Sequence, residues 1–321
     1  MRIGDILIDG WLVLAPMAGK TDIAFRHLCK ELGASLVFCE FASAEGILRN
    51  EEYALRVMRT EESERPVGVQ IFGEGAKRMG EACRKINELK EHGRICPDIL
   101  DINFGCPGKN VMRCGAGAAL LKNKEEIKRI LNACIENSKI PISAKIRIDG
   151  GVERTIEIAK EIEDCGAFAL TVHARTIAGG KKRNSVQWEV IKRVKESVNI
   201  QVIGNGGVIS WKDAIRMRNL TGCDAVMVAR GALYDPFIFL KASSVKITSK
   251  EIENPERVKY ERMSALKRYV ELSQKFGILN LQSVRSHALD FCFGLERARE
   301  MREKISKAGD IDDIVRVFGE I

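Results

Sequence analysis

Short apolar runs alternate along the chain with longer segments whose apolar residues recur at helical spacing. Runs such as 66–72 (PVGVQIF) are apolar on both faces, which is typical of strands in a parallel sheet that helices cover. Segments such as 152–166 (VERTIEIAKEIEDCG) place apolar residues three and four apart and end at glycine, which is typical of helices. The pattern predicts strands at 11–16, 35–41, 66–72, 98–104, 141–148, 168–174, 200–205 and 224–230.

Eight strand–helix units in about 230 residues match the number and size of a closed (β/α)8 barrel. An open doubly wound sheet would carry a glycine-rich phosphate turn, G-x-G-x-x-G, after its first strand. The residues there are LAPMAGKTD, which lack that spacing. We therefore predict an α/β fold whose residues 1–240 form a TIM barrel.

The pattern changes after residue 240. Residues 241–254 lack strand periodicity and are predicted to form a linker. From 255 to 321 the apolar spacing is helical throughout, which predicts a small all-helical C-terminal domain.

The composition is that of a soluble globular protein, with 45% hydrophobic and 30% charged residues among 321. No apolar run approaches the length of a membrane span, and the N-terminal segment lacks the apolar core of a signal peptide. We therefore expect a cytoplasmic protein without a membrane partner. The net charge of +8 favours an anionic partner, although many enzymes are equally basic.

The ten cysteines form no C-x-x-C pair, and the four histidines do not stand at zinc-ligand spacing near them. We expect reduced thiols and no metal site. Cys106 is unusual because it follows a strand in the turn NFGCPGK rather than lying within an apolar run. This stretch alone leaves two interpretations open, an ordinary free thiol in a tight turn or a functional one.

Catalytic groups in such a barrel come from the C-terminal ends of the strands and the loops that follow them. Lys145 is the most informative residue there, because a lysine is rarely buried in a barrel strand without a partner. His173 alone would be an ordinary core histidine. Polar or small residues stand at nearly every predicted strand end: Pro16, Met17, Ala18, Glu40, Gln70, Asn103, Cys106, Lys145, His173, Arg175, Asn205, Gly206, Gly207, Arg230 and Gly231.

The segments IGNGGV and ARGAL follow the seventh and eighth strands, where barrels commonly hold a phosphate with backbone N–H groups. Glycine lets the main chain approach such a ligand closely. A phosphate there, with Lys145 and His173 nearby and Gln70 able to pair with an amide edge, suits flavin mononucleotide (FMN). Glycines that serve only tight turns are the alternative.

Several of these segments together resemble the tRNA-dihydrouridine synthase family. The similar segments are LAPMAGKTDIAFRHLCKELGA, VQIFG, DINFGCPGKNVMRCGAGAALLKN, AKIRI, HART, IGNGG and MVARGAL. The resemblance implies an FMN-dependent (β/α)8 barrel with a helical C-terminal domain, which reduces the C5–C6 double bond of selected uridines in tRNA. It also implies NADPH or NADH as the reductant, and we expect a monomer.

The resemblance implies a role for each matching residue. Cys106 would donate a proton to C5 of uracil after hydride reaches C6, and Asn103 would face the uracil. The implied flavin contacts are Pro16, Met17 and Ala18 along the ring, Gln70, Lys145 and His173 at its polar edge, and Asn205, Gly206, Gly207, Ala229 and Arg230 at the phosphate. With Asn103, the expected tRNA contacts are Lys109, Arg147, Arg175, Lys181, Lys182 and Arg183.

The helical C-terminal domain would supply the other wall of a tRNA-binding groove. Its basic residues are Lys267, Arg268, Arg285, Arg297, Arg299, Arg302 and Lys304, with acidic residues between them. For these residues and for the cluster at 181–183, a solvated charged surface is the alternative.

The chain departs from the family pattern at three of the motifs. It has HART where the family usually has HGRT, NGG where it has NGD, and ARG where it has GRG. Gly207 therefore removes an acidic side chain near the phosphate loop. Ala229 replaces a glycine, which is tolerable if its φ angle is negative.

Two other functions stay open from the sequence. A flavin barrel of this kind also suits the reduction of a free small pyrimidine or an enoate, as in dihydroorotate dehydrogenase. A catalytically idle barrel that only binds RNA is the other alternative, and under it Cys106 would be dispensable.

Overall fold

The computed structural model describes residues 1–178, 185–244 and 254–319. Eight parallel strands close into a barrel in chain order, with the last strand pairing with the first, so the predicted TIM barrel is confirmed. The barrel strands are β3 (Leu12–Leu14), β4 (Leu36–Ser43), β5 (Val67–Phe72), β6 (Ile99–Asn103), β7 (Ile142–Ile148), β8 (Ala169–Thr176), β9 (Gln201–Asn205) and β10 (Ala225–Val228). Each of the eight predicted strands is present.

Helices surround the barrel, and side chains cap several of their first turns. The Ser210 hydroxyl accepts a hydrogen bond from the Asp213 N–H, and the Asp213 carboxylate accepts one from the Ser210 N–H. The helices are α1 (Ile23–Glu31), α2 (Ala44–Leu48), α3 (Glu52–Val57), α4 (Ala76–Glu91), α5 (Lys109–Arg113), α6 (Lys124–Asn137), α7 (Val152–Asp164), α8 (Trp188–Lys195), α9 (Trp211–Thr221), α10 (Arg230–Tyr234) and α11 (Ile238–Ser243), with 3₁₀ turns at Glu62–Glu64 and Gly117–Lys122.

The inside of the barrel changes from apolar to polar along its axis. Phe38, Ile99 and Ile203 belong to the apolar cluster that fills the lower end. A short antiparallel hairpin, β1 (Arg2–Ile3) with β2 (Ile6–Leu7), adds the buried Ile3 to this cluster. Because side chains alternate between the two faces of a strand, the next inward positions carry polar groups and form the upper end.

Within residues 254–319 four helices follow the barrel, so the predicted helical C-terminal region is confirmed: α12 (Pro255–Lys275), α13 (Leu281–Phe291), α14 (Ala298–Lys307) and α15 (Ile311–Gly319). The first two of these helices contact α1, where the Tyr269 hydroxyl donates to the Asp22 carboxylate at 2.7 Å and His287 stacks on Phe25 at 4.7 Å between ring centroids. No helix in the described parts of the chain is long and apolar enough to cross a membrane.

The predicted boundary at residue 240 falls inside α11, which continues to Ser243. Lys241 is buried there, with its ammonium 2.9 Å from Asp235 and 2.5 Å from Glu261 of α12. Lys241, in the segment predicted to be a linker, therefore belongs to the junction between the barrel and the C-terminal helices. Residues 245–253 of the predicted linker lie outside the described residues.

Candidate active site

Four polar side chains from neighbouring strands form the upper layer of the barrel interior. Asn103 is in register with Lys145, and His173 is in register with Asn205. The Lys145 ammonium donates to Asn205 Oδ1 at 3.2 Å, and Asn205 Nδ2 donates to the Met227 carbonyl at 2.8 Å. The register thus brings together residues that are up to about a hundred positions apart in the sequence.

A buried hydrogen-bonded layer lies directly beneath. Asp101 accepts from Gln70 Nε2 and from the Ser143 hydroxyl, both at 2.6 Å. Gln70 Oε1 in turn accepts from Asn103 Nδ2 at 2.8 Å. Burial raises the pKa of Asp101. Asp101 was not among the residues selected from the sequence, although an aspartate two residues before Asn103 in the same strand shares its inward face.

The Cys106 turn is held at both ends. Asn103 Oδ1 accepts from the backbone N–H groups of Gly105 at 3.0 Å and Cys106 at 2.9 Å, and the Cys106 carbonyl accepts from the Ala118 N–H at 3.0 Å. Six of the ten cysteines are buried, whereas Cys106 is partly exposed. The Asn103 carboxamide therefore bonds both to Gln70 and to this turn.

Positive charge dominates the mouth of the barrel beside this turn. Burial, together with the charge of Arg147, lowers the pKa of Lys145 to about 8. Burial and the surrounding cations, Lys145, Arg147, Arg175 and Arg230, hold the pKa of His173 far below its usual range, so its imidazole is neutral. An anion placed among these cations would relieve their mutual repulsion.

A cavity of about 180 Å³ opens at the ends of β8, β9 and β10. Its lining includes Arg147, His173, Arg175, Asn205, Gly206, Gly207, Ala229 and Arg230. The φ angles of Gly206 and Gly207 are +105° and +79°, which only glycine adopts easily. The φ of Ala229 is −112°, so alanine is accommodated in place of the family's glycine, as expected. Close backbone and a cationic wall fit a phosphate group.

The remaining predicted residues that the structure describes lie on or beside the same rim. Pro16, Met17 and Ala18 follow β3, and the Gly19 N–H donates to the buried Glu40 carboxylate at 2.6 Å. Arg147 Nε donates to the Gly105 carbonyl at 3.1 Å. Lys109 is exposed at the first residue of α5, whereas Lys181, Lys182 and Arg183 lie outside the described residues.

The described residues contain no group of three or more His, Cys, Asp and Glu side chains that could hold a metal ion. The site is therefore built from an amide and carboxylate layer, a cationic rim and one partly exposed thiol. These features define a parallel-barrel protein with a cationic mouth beside the Cys106 turn.

Sequence comparison identifies the family within this class. The sequence profile described as dihydrouridine synthase matches residues 13–316, and the chain belongs to the dihydrouridine synthase family. A probable tRNA-dihydrouridine synthase of Aquifex aeolicus is 32% identical over 97% of this chain and 96% of its own length. The tRNA-dihydrouridine synthase B of Klebsiella pneumoniae is 39% identical over 74% of this chain and 73% of its own length. The resemblance found in the motifs is thus confirmed.

Solved structures share the fold at low sequence identity. A dihydroorotate dehydrogenase of Eimeria tenella superimposes with a TM-score of 0.55 at 16% identity, covering 81% of this chain and 84% of its own. The 6-hydroxypseudooxynicotine amine oxidase of Pseudomonas geniculata gives 0.57 at 14% identity, covering 74% of this chain and 47% of its own. These similarities support the barrel fold alone.

Proposed function

We propose that this protein is an FMN-dependent tRNA-dihydrouridine synthase, which reduces the C5–C6 double bond of uridines in tRNA to 5,6-dihydrouridine. The observation that carries the proposal is the position of the Cys106 turn at the end of β6, beside a cationic cavity at the ends of β8 to β10. The family membership and the names of the relatives from Aquifex aeolicus and Klebsiella pneumoniae support the same reaction.

The cavity residues would bind the phosphate of FMN. Arg230 supplies charge there, and Gly206 and Gly207 allow the backbone to approach, because neither carries a Cβ. Lys145 and His173 lie further inward and would face the polar edge of the ring, with Gln70 below them. The bound flavin supplies hydride to C6 of the uracil.

Cys106 would then supply the proton that C5 requires. Its thiol is partly exposed and lies on a turn that Asn103 and Ala118 hold in place. A thiol at that position acts as a general acid provided that it is protonated before the transfer. The uridine would have to leave its stack to reach the barrel mouth, as bases do for enzymes that act on them.

Surface cations would position the tRNA through its phosphates. Lys109 is exposed beside the Cys106 turn, and Lys267 and Arg299 are exposed on the C-terminal helices. Arg268 is paired with Glu31 at 2.7 Å and supports the domain junction instead. NADPH or NADH would be the reductant, and the protein would act as a cytoplasmic monomer.

The test measures the product directly. Purified protein, supplied with FMN and NADPH or NADH, is incubated with tRNA that lacks dihydrouridine, and the nucleosides are analysed by mass spectrometry. We expect a gain of two hydrogens at specific uridines, with binding that weakens steeply as salt rises. Turnover of free uracil or orotate without any change in tRNA would instead identify a reductase of small pyrimidines.

A further inference from the structure

A chain of side-chain hydrogen bonds runs from Asp101 to the backbone of Cys106. Gln70 Nε2 donates to Asp101 Oδ2 at 2.6 Å, and Asn103 Nδ2 donates to Gln70 Oε1 at 2.8 Å. The N–H groups of Gly105 and Cys106 both donate to Asn103 Oδ1. Every bond in the chain therefore points toward Asp101.

The two ends of this chain determine its direction. A backbone N–H can only donate, so Asn103 must turn its oxygen toward the Cys106 turn and its nitrogen toward Gln70. Gln70 must then present its oxygen to Asn103 and its nitrogen to residue 101. Asp101 accepts at both carboxylate oxygens, from Gln70 and from Ser143, and completes the chain. One orientation of the two amides satisfies all of these groups.

We propose that Asp101 is a positioning residue for Cys106: as the terminal acceptor, it fixes the orientation of Gln70 and Asn103 and so holds the turn that carries the thiol. Asp101, Gln70 and Asn103 are at most 5% exposed, so water cannot replace a lost partner easily. The catalytic meaning of this positioning rests on the proposed function, whereas the positioning is a property of the free protein.

Two substitutions distinguish the role of Asp101 as a hydrogen-bond acceptor from the role of its negative charge. Asp101→Asn and Asp101→Leu remove the same charge, but only asparagine can still accept from Gln70, with its nitrogen turned toward the Ser143 hydroxyl. We expect Asp101→Asn to preserve the turn and Asp101→Leu to loosen it. Ser143→Ala is the matched control, because it removes a hydrogen bond to Asp101 Oδ1 without breaking the chain.

The readout is the alkylation rate of Cys106 in the free protein, measured by peptide mass spectrometry. Cys165, which is also partly exposed but lies at the end of α7, is the internal standard. We expect Asp101→Leu to accelerate Cys106 alkylation roughly fivefold, and Asp101→Asn and Ser143→Ala to stay within about twofold of the parent protein. Equal rates in Asp101→Leu and Asp101→Asn would overturn the proposal.

A suppressor pair tests the direction of the chain independently of whether Asp101→Leu folds. Asn103→Asp places a second carboxylate against Gln70, so while both carboxylates are ionised one acceptor faces another whichever way Gln70 turns. Asp101→Asn then restores a complete chain with Gln70 reversed, whereas Asp101→Leu relieves only the charge repulsion. We expect Asp101→Asn to return Cys106 alkylation in the Asn103→Asp protein to the parental rate, and Asp101→Leu not to do so. Equal rescue by the two substitutions, or no rescue by Asp101→Asn, would contradict the proposal.

These measurements need neither flavin nor tRNA turnover. If the protein proved to act on another substrate, the alkylation rates would be unaffected. If the rates contradicted the role of Asp101, the proposed reaction would still stand, with Asn103 alone holding the turn.

Discussion

Gly206 lies against the imidazole of His173 so closely that a Cβ on Gly206 would be 2.6 Å from His173 Cδ2. The same glycine has a φ angle of +105°, and its carbonyl accepts from Trp188 Nε1 at 2.8 Å. The backbone of the proposed phosphate loop and the neutral His173 therefore form one continuous wall of the cavity.

Replacing Gly206 by alanine should therefore strain the backbone and overpack the contact with His173, and both effects destabilise the folded protein. We expect Gly206→Ala to lower the free energy of unfolding by more than about 3 kcal/mol and to abolish FMN binding. Gly222→Ala is the matched control, since Gly222 also has positive φ but a Cβ there meets nothing within 4 Å. It should cost about 1 kcal/mol and leave FMN binding intact. Denaturant unfolding and FMN titration check both variants, and similar losses in the two would refute the role of the His173 contact.

Cys106→Ala should remove the proton donor without disturbing the cavity. We expect dihydrouridine formation to fall by roughly 10²–10⁴-fold while FMN and tRNA still bind. Cys114→Ala, at an exposed cysteine after α5, should retain parental activity. Mass spectrometry of the tRNA nucleosides measures the activity of both variants. Parental activity in Cys106→Ala would show that the Cys106 thiol is not the proton donor.

The lowered pKa of Lys145 makes anion binding depend on pH. In the free protein this lysine loses its proton near pH 8, and a bound anion favours the charged form. Binding above pH 8 must therefore take up a proton, so the affinity for FMN should fall as pH rises, by up to about tenfold per pH unit. Titrations from pH 7 to about 9.5 measure this slope, and Lys145→Met should flatten it. If the slope of FMN affinity against pH were unchanged in Lys145→Met, another group would take up the proton on binding.

Asp22 connects the barrel to the C-terminal helices. Its carboxylate caps α1 by accepting from the Phe25 N–H at 2.9 Å and also accepts from the Tyr269 hydroxyl. Asp22→Ala should therefore lower the free energy of unfolding by about 2–4 kcal/mol. Asp313→Ala, which removes an exposed ion pair with Arg316, should cost less than about 1 kcal/mol. Comparable costs in denaturant unfolding would mean that Asp22 is not a junction residue.

Much of the fold could be predicted because the barrel strands are short apolar runs that alternate with helical segments. The hairpin β1–β2 could not, because strands of two residues carry no periodicity. Lys145, His173 and Asn205 could be selected because polar groups stand at nearly every predicted strand end, where such barrels carry their catalytic groups. Asp101 was missed because its partner Gln70 lies on another strand, and only the register of β5 and β6 brings them together.

The basic residues of the C-terminal helices show a different limit of prediction from the sequence. Arg268 and its partner Glu31 are 237 positions apart, so the sequence could not separate a structural cation from one available to RNA. Arg285 likewise donates to the carbonyls of Ile305 and Ala308. Long-range pairing, which depends on the tertiary fold, determines which cations are already engaged within the protein.

Single-turnover reoxidation of the reduced protein tests the central claim most directly. Protein loaded with FMN is reduced by NADPH without oxygen, freed of excess reductant and mixed with tRNA that lacks dihydrouridine. We expect the flavin absorbance to return as one uridine per flavin gains two hydrogens, with free uracil and orotate leaving the flavin reduced on that timescale. Reoxidation by orotate or uracil, with the tRNA unchanged in mass, would contradict the account.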